Sequence, residues 1–386
     1  MPFRLFNHVA RKVGTPYQLY HEQTIIDRNR ELMCNFRAHF PNFKQFFAVK
    51  ALPNPAILRI MLDQGCGLDC SSPTELYIAK KLNVPSDKII YTSNFTSEKD
   101  VKMACAHNVI LNLDDISLID FIPKNKIPDT LSFRLNPQTN QNWNKFGMTE
   151  DNIIKAYERI LTRSQEEASV VKFGIHMMNN SCELDIQKWE VSVRSMMETV
   201  SRLQDKVDIN FEFVNIGGGI GIPYRPDEKE ISLCQLASTI ANLFKEYEID
   251  SNLYTENGRY ITGPAGYLVS KCDSIKVTNG ETIYGLDACM AHLMRPGMYG
   301  AYHEIMVPKK DDREHATASV VGTLCENNDW FAKDRELPVS EIGDLFVICD
   351  TGAHAHSMGF NYNGKLKAPE ILIPKENGIK VIRKRE

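Results

Sequence analysis

The sequence predicts an α/β protein in which a (β/α)8 barrel is joined to a second, antiparallel β domain. Short β-type runs alternate with helix-type runs as far as about residue 265, which is the pattern of βα units on a parallel sheet. Beyond that point the helical pattern disappears. The chain has 386 residues, more than one hydrophobic core usually serves, so two domains are expected.

Eight apolar runs separated by helix-like segments predict the barrel. The runs are FFAV at 46, GLDCS at 67, KIIYTS at 88, VILNL at 109, LSFRL at 131, VVKFGIHM at 170, FEFVNIG at 211 and NLYTEN at 252. Segments between them, such as PTELYIAKKL and EDNIIKAYERILTR, carry apolar residues at three- and four-residue intervals. Eight strands, each followed by a crossover, favour a closed barrel over an open doubly wound sheet.

The β domain is predicted from runs without helical periodicity. They are GYLVSKCDSIKVT, ETIYGLD, ATASVVGTL, DLFVICDTG and EILIP. TPYQLYHEQTI near the N-terminus is a candidate strand that completes this domain before the chain enters the barrel. We therefore expect a barrel domain at residues 22–265 and a β domain made of residues 1–21 and 266–386.

Composition limits the kinds of partner. The formal net charge is −4 and 24% of residues are charged, which indicates neither a nucleic-acid nor a membrane partner. The ten cysteines form no CxxC pair or Cys/His cluster, which favours reduced thiols and argues against a metal site. MPFRLFNHVARKVG lacks the apolar core of a signal peptide, so a cytoplasmic protein is expected.

Lys50 closes the apolar run FFAVK at the end of the first predicted strand. A cation there is either a snorkelling surface residue or a group kept for chemistry. The strand ends of a barrel form its functional face, and a lysine on that face can form a Schiff base with an aldehyde. Position alone leaves the surface interpretation open.

The loop NIGGGIGIPY follows the seventh predicted strand and contains four glycines, at 217, 218, 219 and 221. Such a loop lets backbone amides face a phosphate, although a tight turn explains the glycines equally well. Glu256 and Arg259 follow the eighth strand in TENGRYI, and two such charges often pair. Together with Lys50, a phosphate loop and a carboxylate for a pyridinium nitrogen describe a pyridoxal phosphate site.

Nine segments, in chain order, resemble the signature segments of diaminopimelate decarboxylase. They are FFAVKALPNPAIL, GLDCSSPTEL, FRLNP, NKFGM, FVNIGGGIGIPY, ENGRYI, RPGMYGAYHEI, VVGTLCENNDWFAKDRELP and GFNYNGKLKAPEIL. More broadly the chain is similar to the fold type III pyridoxal phosphate decarboxylases, which also act on ornithine and arginine. The resemblance implies an alanine-racemase type barrel with a β domain, the cofactor pyridoxal 5'-phosphate, and a homodimer with shared active sites.

The resemblance also implies roles for individual residues. Lys50 matches the Schiff-base lysine, and Cys325 matches a cysteine that the partner chain donates to protonate the substrate carbon. Without the resemblance, Cys325 reads as a buried structural cysteine. Asp69 and Glu75 match the acidic pair beside Lys50. Besides Lys50 and Asp69, the cofactor-binding matches are Arg134 near the ring, Met178 at the position that stacks on the ring, Ser181, Gly217, Gly218 and Gly219 at the phosphate, Glu256 at the ring nitrogen, Gly258, Arg259 and His354.

The substrate-binding matches point to an amino acid with a second, distal carboxylate. Arg259, Arg295 and Tyr299 match residues that hold this carboxylate, and Glu326 matches the one that receives the distal amino group. An arginine fork grips a carboxylate bidentately and disfavours polyamine-type substrates.

Two positions depart from the pattern of the family. HMMNNS places Met178 where an HxHxGS pattern has a histidine stacked on the cofactor ring, and a thioether carries no charge. His354 replaces the tyrosine of a GAY segment that reaches the cofactor phosphate. His176, on the same strand as Met178, is interpreted as a core residue.

The leading hypothesis is a pyridoxal phosphate decarboxylase that converts meso-diaminopimelate to L-lysine, with a small-molecule amino acid as its partner. One alternative is a decarboxylase of a conjugated amino acid, such as a citryl-diamine siderophore intermediate. Another is a non-catalytic homologue that regulates a decarboxylase by binding it. A racemase is disfavoured, because racemases of this type place an arginine at the ring nitrogen and this chain offers Glu256.

Overall fold

The computed structural model describes residues 3–136, 144–308, 313–376 and 378–386. Pro137, the last residue of the FRLNP segment, lies outside them. The chain divides into two compact units. The barrel unit comprises Asn29–Ile222 and Glu230–Tyr260, and the β unit comprises the described residues of Met1–Arg28, Pro223–Lys229 and Ile261–Glu386. The predicted domain boundaries at residues 22 and 265 stay a prediction.

The strands and helices follow in chain order. The strands are β1 (Tyr17–His21), β2 (Lys44–Ala48), β3 (Gly67–Cys70), β4 (Ile89–Thr92), β5 (Ile110–Leu113), β6 (Thr130–Leu135), β7 (Lys172–Met177), β8 (Phe211–Asn215), β9 (Asn252–Thr255), β10 (Gly266–Thr278), β11 (Glu281–Leu286), β12 (Ile305–Met306), β13 (His315–Val321), β14 (Trp330–Pro338), β15 (Leu345–Cys349), β16 (Glu370–Ile373) and β17 (Lys380–Arg383). The helices are α1 (Phe3–Val13), α2 (Glu22–Arg37), α3 (Pro55–Asp63), α4 (Pro73–Lys81), α5 (Glu98–Ala106), α6 (Glu150–Glu166), α7 (Ile186–Val207), α8 (Leu233–Glu246), α9 (Arg259–Thr262) and α10 (Arg295–Tyr299).

The predicted barrel is confirmed. Strands β2 to β9 pair in parallel in chain order, and β2 pairs with β9 to close the cylinder. Most residues of these strands are buried, because side chains fill the interior and helices cover the outside. The ring of Phe213 stacks on that of Tyr254, with the ring centroids 4.3 Å apart, in a cluster with Phe46, Ile90 and Ile110.

Helix caps fix the chain where it leaves the first two barrel strands. The side chain of Asn54 accepts a hydrogen bond from Ala56 N–H at the start of α3, and Ser72 accepts one from Glu75 N–H at the start of α4. Each helix begins with a proline at its first position, where no N–H is needed. The loops at the carboxyl ends of β2 and β3 are therefore short and anchored.

The sheet of the β unit is mixed, which corrects the expectation of an antiparallel domain. Its main order is β14-β13-β11-β10-β1-β16-β17, with β15 paired to β10 and β12. The pairs β1–β16 and β11–β13 are parallel. Alternating burial reveals a strand but not the direction of its neighbour, so the sequence could not predict these two pairs.

The N-terminal segment contributes both a strand and a helix to the β unit. The predicted strand at TPYQLYHEQTI is confirmed as β1, which lies between β10 and β16. Helix α1 was not predicted, although Phe6 and Val9 lie three residues apart and are buried in a cluster with Leu19. Within the described ranges, no helix has the length and apolar character needed to cross a membrane.

Candidate active site

Lys50 lies in a single 3-10 turn, Val49–Ala51, directly after strand β2. Its Nζ is 3.9 Å from Asp69 Oδ2, and 52% of its side chain is exposed, whereas Asp69 is 1% exposed. The turn therefore presents the amine at the carboxyl end of the barrel beside a buried carboxyl group. An accessible amine in this position can bond covalently to an aldehyde.

Asp69 and Glu75 form the acidic pair beside Lys50. Asp69 is on β3, and Glu75 is in the first turn of α4, where its Oε2 accepts a hydrogen bond of 2.6 Å from Ser71 N–H. Burial raises the pKa of both carboxyl groups, and the charge of Glu256 raises that of Asp69 further. Asp69 Oδ1 is buried and has no hydrogen-bond partner among the described residues.

Glu256 follows β9 and is buried among polar partners. Its Oε1 accepts a hydrogen bond of 2.7 Å from Asn215 Nδ2, and its Oε2 lies 3.2 Å from His176 Nε2. Burial opposes the charge, but His176, Lys50 and the bond from Asn215 together bring the pKa of Glu256 below its usual value. The side chain is therefore an oriented carboxylate, which suits a protonated ring nitrogen.

His176 was expected to be a core residue, and its burial agrees, but the ring also contacts a carboxylate of the site. The ring is buried, yet its Nε2 contacts Glu256, and its Nδ1 has no partner among the described residues. Strand β7 places His176 beside Arg134 of β6 and Asn215 of β8, all near the carboxyl ends. A polar residue at this level of an apolar strand was the signal in the sequence.

Arg134 is held at the end of β6 by partners that the sequence did not single out. Its Nη1 donates to Asn94 Oδ1 at 2.9 Å, and the same nitrogen is 3.5 Å from Asp114 Oδ1. The guanidinium also lies over the ring of Phe146, 4.6 Å from the centroid. Burial lowers the pKa of Arg134, although Asp114, Glu256 and Asp69 oppose the shift.

The glycine loop after β8 packs too closely for side chains. Gly217 and Gly219 have φ values of +71° and +109°. A Cβ on Gly218 would lie 2.3 Å from the carbonyl oxygen of Glu256, and one on Gly219 would lie 2.3 Å from that of Asn180. Tight packing and positive φ thus both require glycine here, which supports the turn interpretation.

Two of the three loop amides already have partners. Gly217 N–H donates to Asn215 Oδ1 at 2.9 Å, and Gly218 N–H donates to Met178 Sδ at 3.2 Å. Met178, at the end of β7, therefore touches the loop through its sulfur.

Gly258 is required for a different close approach. A Cβ at this position would lie 2.6 Å from that of Ala51, in the turn that carries Lys50. Arg259 begins the short helix α9 immediately afterwards and is half-buried. Both residues lie in the barrel unit with Lys50, Asp69 and Glu256.

Arg295 and Tyr299 lie on α10 of the β unit. Arg295 is 8% exposed, and its guanidinium lies over the ring of Tyr224, 4.3 Å from the centroid. Tyr299 is 61% exposed. The predicted carboxylate-binding residues of this unit thus differ: one is a buried, oriented cation and the other a surface ring.

Cys325 is exposed on a loop of the β unit, so it is not the buried structural cysteine of the alternative interpretation. Its N–H donates to Asn363 Oδ1 at 2.8 Å, and its carbonyl oxygen accepts from Tyr362 Oη at 3.3 Å. Asp329 braces the same loop by accepting from Leu324 N–H. The adjoining Glu326 accepts from Asn328 N–H at 3.1 Å.

His354, also in the β unit, is half-buried and adopts a φ of +58°. Of the predicted residues, the barrel unit therefore holds Lys50, Asp69, Glu75, Arg134, Met178, Ser181, Gly217, Gly218, Gly219, Glu256, Gly258 and Arg259, and the β unit holds Arg295, Tyr299, Cys325, Glu326 and His354.

Comparison with known proteins assigns the chain to a family. The model of the family described as pyridoxal-dependent decarboxylase, pyridoxal binding domain, matches residues 26–263. The chain belongs to the pyridoxal-dependent decarboxylase family. It is 38% identical to the protein TabA of Pseudomonas amygdali pv. tabaci, over 100% of this chain and 92% of TabA.

Relatives in this family include diaminopimelate decarboxylases. The chain is 33% identical to that of Methanothermobacter thermautotrophicus, over 98% of this chain and 91% of the relative. The crystal structure of diaminopimelate decarboxylase from M. jannaschii in complex with L-lysine superimposes with a TM-score of 0.90 at 34% identity, covering 98% of this chain and 91% of that one.

The barrel unit of this decarboxylase fits pyridoxal phosphate. Lys50 offers an accessible amine, and Glu256 offers an oriented carboxylate for the ring nitrogen. Asp69 Oδ1 and His176 Nδ1 are buried polar atoms without partners in the described part of the chain. In the loop at Gly217 to Gly219, a Cβ would meet backbone carbonyl oxygens, so only glycines allow this close approach of the chain. Amine, carboxylates and glycine amides are the groups that this cofactor requires.

Proposed function

We propose that this enzyme removes carbon dioxide from the D-configured centre of an amino acid with a distal carboxylate, and that meso-diaminopimelate, giving L-lysine, is the substrate. The product would place the enzyme in lysine biosynthesis. The observation that carries the proposal is the buried and oriented guanidinium of Arg295, in a chain similar over 98% of its length to diaminopimelate decarboxylases. A fixed guanidinium binds a carboxylate with two parallel hydrogen bonds.

The residues of the barrel unit would hold the cofactor and control its protonation. Bound pyridoxal phosphate supplies an electron sink for the bond that breaks. Lys50 would hold it covalently, and Glu256 would accept the hydrogen bond of the protonated ring nitrogen. Gly217 to Gly219 and Ser181 would form the phosphate site. Lys50, Asp69 and Glu256 interact electrostatically with one another.

The residues of the β unit would act on the substrate. Arg295 and Tyr299, with Arg259 of the barrel unit, would bind the distal carboxylate, and Glu326 would receive the distal amino group. The thiol of Cys325 would deliver the proton that replaces the departing carboxyl group. Cys325 is exposed within its chain, which is consistent with service to the active site of a second chain in a homodimer. A cytoplasmic location is part of the same proposal.

Release of carbon dioxide tests the substrate directly. The cofactor-loaded protein is supplied with meso-diaminopimelate, and carbon dioxide and L-lysine are quantified in equal amounts if the proposal is right. Lys50→Ala is the control that removes the covalent attachment of the cofactor and with it the visible absorption of the protein. A loaded protein that absorbs like the wild type but releases no carbon dioxide from this substrate contradicts the proposal. A citryl-diamine substrate then becomes the next compound to test.

A further inference from the structure

Arg295 is held by two aromatic side chains of the β unit. Its Nη1 is 2.7 Å from Nε2 of His303, and its guanidinium lies 4.3 Å from the centroid of the Tyr224 ring. The rings of Tyr224 and His303 meet edge to face, with centroids 5.0 Å apart and planes at 70°. The three side chains, which we call the arginine clamp, therefore each contact the other two.

The protonation of His303 follows from its two neighbours. The ring is 0% exposed, and its Nδ1 lies 2.8 Å from the carbonyl oxygen of Cys349. A carbonyl oxygen can only accept, so Nδ1 carries the hydrogen. An arginine can only donate, so Nε2 must accept the hydrogen bond from Arg295 and carries none. The imidazole is therefore neutral, in the Nδ1–H form.

A neutral acceptor has a specific effect on a cation. A carboxylate at the position of His303 Nε2 would orient Arg295 but would also cancel its charge. The imidazole orients the guanidinium without adding a negative charge, while the face of Tyr224 restricts rotation of the plane. The carboxyl group of Asp350 also interacts electrostatically with Arg295. Tyr224 is itself anchored, because its N–H donates to Glu228 Oε2 at 2.8 Å.

We propose that His303 is a positioning residue that fixes the guanidinium plane of Arg295 and thereby sets the preference of the enzyme for ligands with a distal carboxylate. This inference rests on the proposed function. A bidentate hydrogen bond needs both N–H groups in one plane with the carboxylate, so a guanidinium free to rotate loses affinity even though its charge remains. Hydrogen bonds to charged groups contribute enough that roughly a tenfold loss of affinity is expected.

Two ligands that differ by one carboxyl group measure this preference. L-Lysine carries the carboxylate that Arg295 is proposed to bind, and cadaverine is the same molecule without it. Calorimetric titration of the cofactor-loaded protein gives both affinities without any turnover. Wild type should bind L-lysine more tightly than cadaverine. Arg295→Met should abolish the difference.

The histidine variants separate positioning from general stability. His303→Leu removes the acceptor and should weaken L-lysine binding about tenfold while leaving cadaverine binding unchanged. His303→Gln places an amide oxygen near the position of Nε2 and should retain much of the preference. His292→Gln is the matched control, because His292 is a buried histidine of the same unit that contacts Cys289 and the carbonyl oxygen of Leu366. Circular dichroism confirms that each variant is folded.

Several outcomes overturn the inference, and they can be told apart. If Arg295→Met removes the preference but folded His303→Leu keeps it, His303 does not position the arginine. If His303→Leu weakens the binding of L-lysine and of cadaverine equally, the role of His303 is structural only. If wild type shows no preference, or Arg295→Met retains it, the inference is wrong. Release of carbon dioxide from meso-diaminopimelate then decides separately whether the proposed function stands.

Discussion

Asp69 and Glu256 lie where barrel strands end, and their surroundings raise the pKa of the first and lower the pKa of the second. Burial and the charge of Glu256 raise the pKa of Asp69. Glu256 is buried as well, but His176, Lys50 and Asn215 bring its pKa down. Two carboxyl groups whose pKa values differ in this way can serve as a proton donor and a permanent anion within one site. Asp69 would then offer a hydrogen beside Lys50, while Glu256 stays charged.

The half-buried carboxyl group of Asp350 allows a test by pH. Burial raises the pKa of Asp350 to about 6, Glu304 adds to the shift, and Arg28 and Arg295 oppose it. Because the folded-state pKa lies above the unfolded value, the carboxyl group costs stability as the pH rises from about 4 to about 6, and the cost persists above that range. Asp350→Asn should therefore raise the free energy of unfolding at pH 7 to 8 by about 1 to 3 kcal/mol. Below about pH 4 the difference should vanish.

Denaturant unfolding of wild type and Asp350→Asn at several pH values measures this difference. Asp350 has a φ of +57°, a conformation that asparagine adopts readily. The substitution could therefore stabilise the protein through the backbone alone, and a second Asp→Asn substitution at a similar φ is needed as a control. Asp208→Asn serves, because Asp208 has a φ of +51° and is exposed. A gain of equal size in both variants, or one that does not change with pH, would show that the carboxyl group of Asp350 is not responsible.

At the scale of elements, the close packing of β2 against the segment after β9 positions the reactive lysine. Gln45 of β2 bridges the two, with its Nε2 donating to the Asn257 carbonyl oxygen at 2.8 Å and its Oε1 accepting from Thr255 Oγ1 at 2.6 Å. Gly258 follows directly, against the 3-10 turn of Lys50. The orientation of the amine thus depends on a contact with no room for a methyl group.

Substitution of Gly258 by alanine should disturb this contact. The new Cβ would lie 2.6 Å from that of Ala51 and 3.2 Å from that of Ala48, so the turn must move. We expect a loss of about 1 to 3 kcal/mol in the free energy of unfolding and a weaker absorption of the lysine-bound cofactor. The double variant Gly258→Ala/Ala51→Gly removes the closest clash and should recover part of both. No recovery in the double variant would mean that Gly258 matters for another reason, such as direct contact with the cofactor.

At the scale of the whole molecule, the residues proposed for catalysis are divided between two units. Lys50 belongs to the barrel unit, and Cys325 belongs to the β unit, where its loop is held by Asn363, Tyr362 and Asp329. Surface apolar residues of the β unit include Met298, Tyr299 and Tyr362. Both features agree with the proposal that two chains build each active site, in which one chain provides Lys50 and its partner provides Cys325.

Mixing two inactive variants tests the shared site. Chains with Lys50→Ala and chains with Cys325→Ala, allowed to exchange, should form hybrid dimers with one site that keeps both wild-type residues and one that keeps neither. Activity should return to about a quarter of wild type, because half of the dimers are hybrids with one intact site each. Native mass spectrometry verifies the exchange. A mixture that exchanges fully and remains inactive would show that both residues serve the site from the same chain.

Much of the barrel was predictable because burial on both faces leaves a direct record in the sequence. All eight runs from FFAV to NLYTEN are strands, and Lys50, the glycine loop and Glu256 follow them at the expected end. The residues that support them were less visible. His176 and Glu256 are 80 positions apart, and nothing local to His176 indicates that its ring meets a carboxylate.

The sequence by itself determined the segments that are buried and the order in which they occur, since hydrophobic period and turn residues are local properties of the chain. Only the tertiary structure decided the parallel pairs of the β unit, the contact of Gly258 with Ala51 and the arginine clamp. The resemblance matched Arg295 to a carboxylate-binding residue, but only the structure shows that Tyr224 and His303 hold its guanidinium. Contacts between distant segments depend on how the whole chain closes and packs, and no local pattern records that.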